Sequence, residues 1–389
     1  KKTVTLTSAS DSKPYDGNAL TNDKVTAEGF VGNDGATYNV TGTITDVGEK
    51  VNEFTYTLNE GTNKDNYEIT TVFGKLVITP NADQVVVTIK ENSETATYDG
   101  EEHTVTGYTV TNISSTLYTE NDFEFVGADT AKEVKGTNAG TYDMNLKASD
   151  FQNKNKQFSN VKFVIVDGKL NISKRSVTLT SASASRPYNG KALTNNTVTV
   201  GGEGFANGEG ASYDVTGSQT VVGSSDNEFT YTLNANTKAK NYNITKNTGT
   251  LTITDRETKY DITVRANSKD TTYDGTEQTV VGFEQTTFVV DGNTYKVSGI
   301  NAVAKGTDQG KYQTTITGTP VVTDEAENDV TAQFKVEVIA GQLNIAKRDL
   351  TITAGSAEAV YNGQALTKNT SEITGGTLAT GDSYTATIE

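Results

Sequence analysis

The chain carries a single histidine, His103, and no cysteine. That leaves one imidazole to serve any acid–base triad and removes metal sites that need two or more histidine ligands. His103 stands five residues after Tyr98, and Gln278 stands five after Tyr273. A repeat that manages with glutamine there does not need an imidazole. The missing cysteine removes disulfides and thiolate metal sites. Carboxylates cluster at Glu120/Asp122/Glu124 and at Asp324/Glu325/Glu327/Asp329. Glycoside hydrolysis needs two carboxyls facing each other across a cleft. These sit in loops or on exposed strand faces, and neither cluster recurs in its partner copy, so they read as solvated acidic surface. Loosely bound calcium is the alternative, although no Asp-x-Asp-x-Asp-Gly loop supports it; no other cofactor is implied. The Gly-rich stretches Gly32-Asn33-Asp34-Gly35 and Gly208-Glu209-Gly210 do not lead from a strand into a helix with Lys-Ser/Thr, as a phosphate loop would.

A covalent possibility is a Lys–Asn isopeptide bond, which needs a lysine on a first strand, an asparagine on a last strand and a buried acid. Lys90 and Asn171 have the right order. In the corresponding copy the lysine's place is taken by Arg265, whose guanidinium cannot play the part. The remaining candidate is a recurring stretch: Tyr15-Asp16-Gly17, Tyr98-Asp99-Gly100, Tyr188-Asn189-Gly190, Tyr273-Asp274-Gly275 and Tyr361-Asn362-Gly363. Asp-Gly and Asn-Gly accept positive φ in tight hairpin turns. Each copy is therefore expected to be an aromatic strand residue entering a hairpin, with the Tyr anchoring a small core and the Gly permitting the turn. The alternative, stacking of sugars on these tyrosines, is weakened by the absence of Trp.

These stretches also set the organisation of the chain. Tyr15 and Tyr188 are 173 residues apart, as are Tyr188 and Tyr361, while Tyr98 and Tyr273 are 175 apart. The repeating unit is thus a pair, A then B, and such periodicity marks a tandem array. Direct comparison agrees: Val4-Thr5-Leu6-Thr7-Ser8-Ala9-Ser10 returns as Val177-Thr178-Leu179-Thr180-Ser181-Ala182-Ser183, and Phe54-Thr55-Tyr56-Thr57-Leu58-Asn59 as Phe229 to Asn234. The repeats divide as 1–80 (A1), 81–174 (B1), 175–255 (A2), 256–347 (B2) and 348–389 (a partial A3).

Within each copy apolar residues alternate with Thr, as in Val4, Leu6 or Phe54, Tyr56, Leu58, and no window has helical spacing. Period two bounded by Gly, Asn and Asp means strands. Hydrophobic residues are 34% of the chain, and Met144 is the one methionine, so the cores are small. The expected fold is all-β, a tandem array of small Ig-like antiparallel β-sandwich domains, with β-grasp-like modules as the alternative. Junctions such as Thr79-Pro80-Asn81 and Ser173-Lys174-Arg175 contain no flexible linker, so an elongated, monomeric rod is expected. The formal charge of −16 opposes nucleic-acid binding and attachment to anionic membranes, and no apolar run is long enough to insert in a bilayer. The chain opens Lys1-Lys2-Thr3 without an initiator Met and is read as a segment of a longer protein. The partial fifth copy is expected to leave an open strand edge that is mobile or pairs with a neighbouring chain.

Three motifs in fixed order carry a resemblance: the Tyr-Asp-Gly turn, the segment Gly136-Thr137-Asn138-Ala139-Gly140-Thr141-Tyr142 (Gly306 to Tyr312 in the second B copy), and the closing Gly168-Lys169-Leu170-Asn171-Ile172 (Gly341 to Ile345). In this the chain resembles the MBG-type repeats of large bacterial cell-surface proteins. The A copies depart from the middle motif, with Gly42-Thr43 to Gly48 and Gly217-Ser218 to Gly223 in its place. The resemblance implies tandem Ig-like or β-grasp-like modules in secreted, often wall-attached adhesins, chiefly of Gram-positive bacteria, and no catalytic residue. The expected function is a non-catalytic stalk at the bacterial cell surface, attached to the wall through regions outside this segment, that projects a distal binding domain. The alternative is that the repeats themselves bind host glycans or a mucin-like glycoprotein.

Overall fold

The computed structural model describes all residues, Lys1–Glu389. The first A copy contains eight strands: β1 Lys2–Ser8, β2 Asp11–Pro14, β3 Val25–Glu28, β4 Ala36–Val40, β5 Gly48–Asn52, β6 Phe54–Leu58, β7 Tyr67–Val72 and β8 Gly74–Thr79. In β1, Val4, Leu6 and Ser8 are buried while the intervening Thr residues reach the outside, as the pleat of a strand requires. β1 lies between β3, antiparallel to it, and β7, parallel to it. This sheet buries Val4, Leu6 and Tyr67 against Phe54, Tyr38 and Tyr56 of the antiparallel β4–β6 pair. A second sheet, in which β8 is flanked by parallel β2 and antiparallel β5, covers Leu20, Leu76 and Ile78.

The strand directions differ from the antiparallel expectation. First and last strands run parallel in both sheets, because β1 continues into β2 and β7 into β8 as the pair crosses together from one sheet to the other. That crossing brings backbones close: a Cβ on Gly74 would stand 2.4 Å from the Ala9 carbonyl oxygen. It is held by buried polar groups. Ser8 Oγ donates to the Asn52 carbonyl at 2.6 Å and accepts the Gly74 N–H at 3.0 Å, while Asn52 Nδ2 donates to the carbonyls of Ala9 and Asn22. Ser181, Asn227 and Gly249 repeat this construction in A2. In B1 the buried Glu91 takes the serine's place, its two carboxylate oxygens accepting the N–H groups of Leu146 and Gly168 at 2.8 and 2.7 Å. In B2 the place goes to the buried Ala266.

The parallel pairing recurs. Val85–Glu91 runs beside Val161–Val166, and Glu94–Thr97 beside Lys169–Ser173. Tyr260–Arg265 runs beside Phe334–Ile339, and Lys269–Thr272 beside Gln342–Ala346. The partial A3 retains one antiparallel pair, Leu350–Ala354 with Ser371–Gly376. The fold is all-β, built as tandem β-sandwich modules of mixed sheets, with short 3-10 turns as its helical elements. The chain forms two compact units. One comprises 1–177 with 202–211 and 233–245; the other comprises 178–201, 212–232 and 246–389.

Candidate functional site

All five Tyr-Asp/Asn-Gly stretches adopt one local structure. The glycine φ values are 79° at Gly17, 91° at Gly100, 72° at Gly190, 78° at Gly275 and 77° at Gly363. The preceding Asp or Asn side chain accepts the backbone N–H two residues on, at 2.9 Å for Asp16–Asn18, 2.9 Å for Asp99–Glu101, 3.1 Å for Asn189–Lys191, 2.9 Å for Asp274–Thr276 and 3.0 Å for Asn362–Gln364. This is an Asx turn, and it is not the expected hairpin. The flanking strands join different partners: Glu94–Thr97 pairs with Lys169–Ser173, whereas His103–Thr106 pairs with Glu133–Gly136. Positive φ at both central residues occurs instead at Asp291 (49°) and Gly292 (82°), which connect the paired strands Thr287–Val290 and Asn293–Gly306. The Asx bond closes the turn with only the glycine left-handed, so no second positive φ is needed.

The tyrosine is held from both ends. Its N–H donates to the carbonyl at the end of its own copy's last strand, at 2.9 Å for each of Tyr15–Thr79, Tyr98–Ser173, Tyr188–Thr254 and Tyr273–Ala346. Its carbonyl accepts from a side chain at the start of the following copy: Asn81 at 3.0 Å, Arg175 at 3.4 Å, Arg256 at 2.8 Å and Arg348 at 3.4 Å. The ring lies at the rim of its own core and against the next copy. Tyr15 meets Phe158 edge-on at 5.7 Å and Tyr98 meets Tyr242 at 5.4 Å. The hydroxyls of Tyr188 and Tyr295 are 3.4 Å apart, and Tyr273 donates to Asp382 at 3.0 Å. The glycine faces the same way. A Cβ on Gly17 would stand 3.0 Å from Leu117, on Gly100 3.5 Å from Ala206, on Gly190 2.2 Å from the Tyr295 hydroxyl, and on Gly275 2.6 Å from the Thr380 carbonyl. The fifth copy lacks these neighbours: Tyr361 is 93% exposed and nothing lies within 4 Å of a Cβ on Gly363. The turn expected to serve one repeat's core therefore joins two repeats.

At the Tyr98 junction the two phenols meet one carboxylate. Tyr98 donates to Glu209 Oε1 and Tyr242 donates to Oε2 at 2.6 Å, while the Ala206 N–H donates to the Tyr242 oxygen at 3.0 Å. Burial, and then the negative partner, push both phenols above the ordinary tyrosine range. Tyr188, fully buried, is pushed up by burial and then by its bond to Tyr295. Tyr188, Ile253, Ile262, Val264, Tyr295 and Phe334 form one core that draws on A2 and B2 alike.

The other candidates take structural places. His103 Nε2 is 3.1 Å from Asp99 Oδ1, and in B2 Gln278 Nε2 donates to Asp274 at 2.9 Å, so both side chains brace the Asx turn. The Asp99 carboxyl is held below its ordinary range by the Glu101 N–H and then by His103. Lys90 and Asn171 are not brought together. Lys90 is exposed, opposite Thr109 and Val166, whereas Asn171 lies in a different sheet, opposite Thr95, and its Oδ1 accepts from Thr141. Asp122 caps its 3-10 turn through the Thr119 N–H, and Asp324 and Asp329 cap loop N–H groups. No group of three or more His, Asp or Glu side chains is placed to hold a metal ion. Sequence reasoning missed Glu91, Glu209 and the junction cations. The cations had a signal, since Arg175, Arg256 and Arg348 each stand two residues after the end of a closing strand.

Fold and site together define a tandem all-β protein whose recurrent site is a structural junction. Residues 85–174, which lie within B1, match the family model described as MBG domain, the family of surface-protein repeats that the sequence resembles. No curated protein matches the chain. Among solved structures it is similar to a protocadherin gamma-B4 extracellular domain, at 8% identity and a TM-score of 0.26 over 93% of this chain and 70% of that one. It is also similar to protocadherin gamma-B2 extracellular cadherin domains 1–5, at 10% identity and 0.21 over 90% and 80%. A third is an endo-fucoidan hydrolase of glycoside hydrolase family 107, at 8% and 0.17 over 66% and 43%.

Proposed function

We propose that the chain is a non-catalytic stalk region of a bacterial cell-surface adhesin, of the Gram-positive wall-attached kind, in which the repeats hold a distal binding domain away from the wall. The observation that carries this reading is the junction itself. Four successive Tyr-Asp/Asn-Gly turns each hydrogen-bond to the end of their own copy and to the start of the next, and a linker without Gly/Ser slack separates the copies. Such junctions oppose bending, which is what a spacer requires. Small-angle scattering of the full chain is expected to give an elongated, monomeric particle, and a compact particle would overturn the reading. The alternative, in which the repeats themselves bind host glycans or a mucin-like glycoprotein, meets four turn tyrosines, Tyr15, Tyr98, Tyr188 and Tyr273, that already pack against protein groups. A glycan and mucin array probed with the full chain tests it.

A further inference from the structure

The first A copy carries the same receiving face that A2 uses for the Tyr98 turn, and there it has no such turn upon it. In A2 the Ala206 N–H donates to the Tyr242 oxygen at 3.0 Å, Tyr242 donates to Glu209 at 2.6 Å, and the Glu209 N–H donates to the Ala206 carbonyl at 3.0 Å. In A1 the Val31 N–H donates to Tyr67 at 3.1 Å, Tyr67 donates to Asp34 Oδ2 at 2.7 Å, and the Asp34 N–H donates to the Val31 carbonyl at 3.1 Å. Phe30 meets Tyr67 at 5.2 Å and 70°, as Phe205 meets Tyr242 at 5.2 Å and 67°. Thr62 accepts the Gly35 N–H as Thr237 accepts that of Gly210.

The two faces differ in what covers them. Ala206 lies under Gly100 and is 5% exposed, whereas Val31 is 53% exposed. Asn241 is fully buried, with Oδ1 on the Ala139 N–H and Nδ2 on Asn138, whereas its counterpart Asn66 is exposed. Both Glu209 oxygens accept a phenol, whereas Asp34 accepts one phenol on Oδ2 and leaves Oδ1 open to a second. An aliphatic side chain, an amide and a half-used carboxylate thus stand together where A2 has all three covered.

We propose that this face of A1, formed by Phe30, Val31, Asp34, Asn66 and Tyr67, is a docking surface for the Tyr-Asp-Gly turn of a further B-type repeat. The phenol donates to Asp34, the turn glycine leaves room for Val31, and the neighbouring loop meets Asn66. The A and B copies receive turns differently, since Tyr15 and Tyr188 go to Phe158 and Tyr295, so the carboxylate face selects B-type turns. This inference does not depend on the stalk reading: a compact particle would remove that reading and leave the face intact.

The test adds residues 81–173 directly ahead of Lys1 in the full chain, so that Lys1-Lys2-Thr3-Val4 follows them as Lys174-Arg175-Ser176-Val177 does. Hydrogen exchange at Gly29 to Gly35 and at Asn66 is expected to slow by about tenfold or more, and Asp34→Ala is expected to restore the parent rates. Parent rates without that substitution, in a protein whose added strands are protected, would overturn the proposal. A second variant covers failure of the added copy to fold: the unextended chain with Ala206→Val, Asn207→Gly, Gly208→Asn and Glu209→Asp, which gives A2 the A1 face. Tyr98 is expected to titrate at the same pH as in the parent chain when followed through its ring resonances, and a titration shifted down from the parent's would overturn the proposal.

Discussion

Tyr98 and Tyr242, from successive repeats, meet edge-on at 5.4 Å and send both their hydroxyls to the carboxylate of Glu209. Each phenol has its apolar body in the junction and its polar tip satisfied, which a buried tyrosine requires. The carboxylate belongs to the receiving repeat, so removing it strands donors on both sides.

Glu209→Ala is therefore expected to lower stability by about 1–3 kcal/mol for each hydroxyl left unpaired. Glu209→Gln, which retains an acceptor, is expected to cost less. Urea unfolding followed at both substitutions checks the order. Equal stability of Glu209→Ala and the parent chain would show that water replaces the carboxylate without loss.

Two glycines of identical local geometry separate backbone strain from contact. Gly363→Val meets only the positive-φ penalty of roughly 1–2 kcal/mol, because no atom lies within 4 Å of its Cβ. Gly190→Val meets the same penalty and also drives a Cβ to 2.2 Å from the Tyr295 hydroxyl, which is expected to add about 1–3 kcal/mol of overpacking. Paired unfolding measurements give the difference, and similar losses would mean that Tyr295 moves aside freely.

Tyrosine truncation has the same contrast. Tyr188→Ala empties a fully buried site in the core shared by A2 and B2 and is expected to cost about 3–5 kcal/mol. Tyr361→Ala, at a position 93% exposed, is expected to stay within about 0.5 kcal/mol. A large loss at Tyr361 would point to a ring packed in solution.

The intact mass of the chain is expected to equal that of its sequence. Lys90 and Asn171 occupy separate sheets, and Asn171 lies opposite Thr95, five residues along the chain from Lys90. At about 3.3 Å per strand residue that offset is several times the reach of an amide bond. A mass short by one ammonia would place a cross-link that the strand pairing does not allow.

The alternation of Val4, Leu6 and Ser8 made strands legible, and the returning Tyr-Asp/Asn-Gly turns made the repeats legible. Strand direction was hidden, because burial alternates with the same period whether β1 runs parallel or antiparallel to β7. The side to which each turn faces was hidden too. Repetition of Tyr98 shows that the position is needed, and an inward core and a junction to the next copy need it equally. The carboxylate of the site escaped notice because it changes identity, from Asp34 to Glu209 to Asp382, and lies in Gly-rich loops that read as turns. The isolated Glu91 gave no signal at all, since its counterparts are Ser8, Ser181 and Ala266.

Alkaline pH is expected to loosen the junctions. Tyr118 stacks edge-on against Phe158, itself the partner of Tyr15, and burial followed by the nearby Asp122 pushes its phenol up to about 12. Tyr260, burial and then its bond to Asp291 acting together, is also pushed up to about 12. The folded chain keeps these protons at a pH where an unfolded tyrosine, ionising near about 10, has lost them. Their contribution is thus complete below about pH 10 and is lost as pH rises toward 12, with a slope of up to about 1.4 kcal/mol per pH unit for each tyrosine. Tyr188 and Tyr242, pushed up further by burial, extend the loss beyond that window. Thermal unfolding followed from neutral pH upward, alongside tyrosinate absorbance, checks this. A melting temperature that stays flat up to about pH 12 would mean that the junction phenols ionise without breaking their contacts.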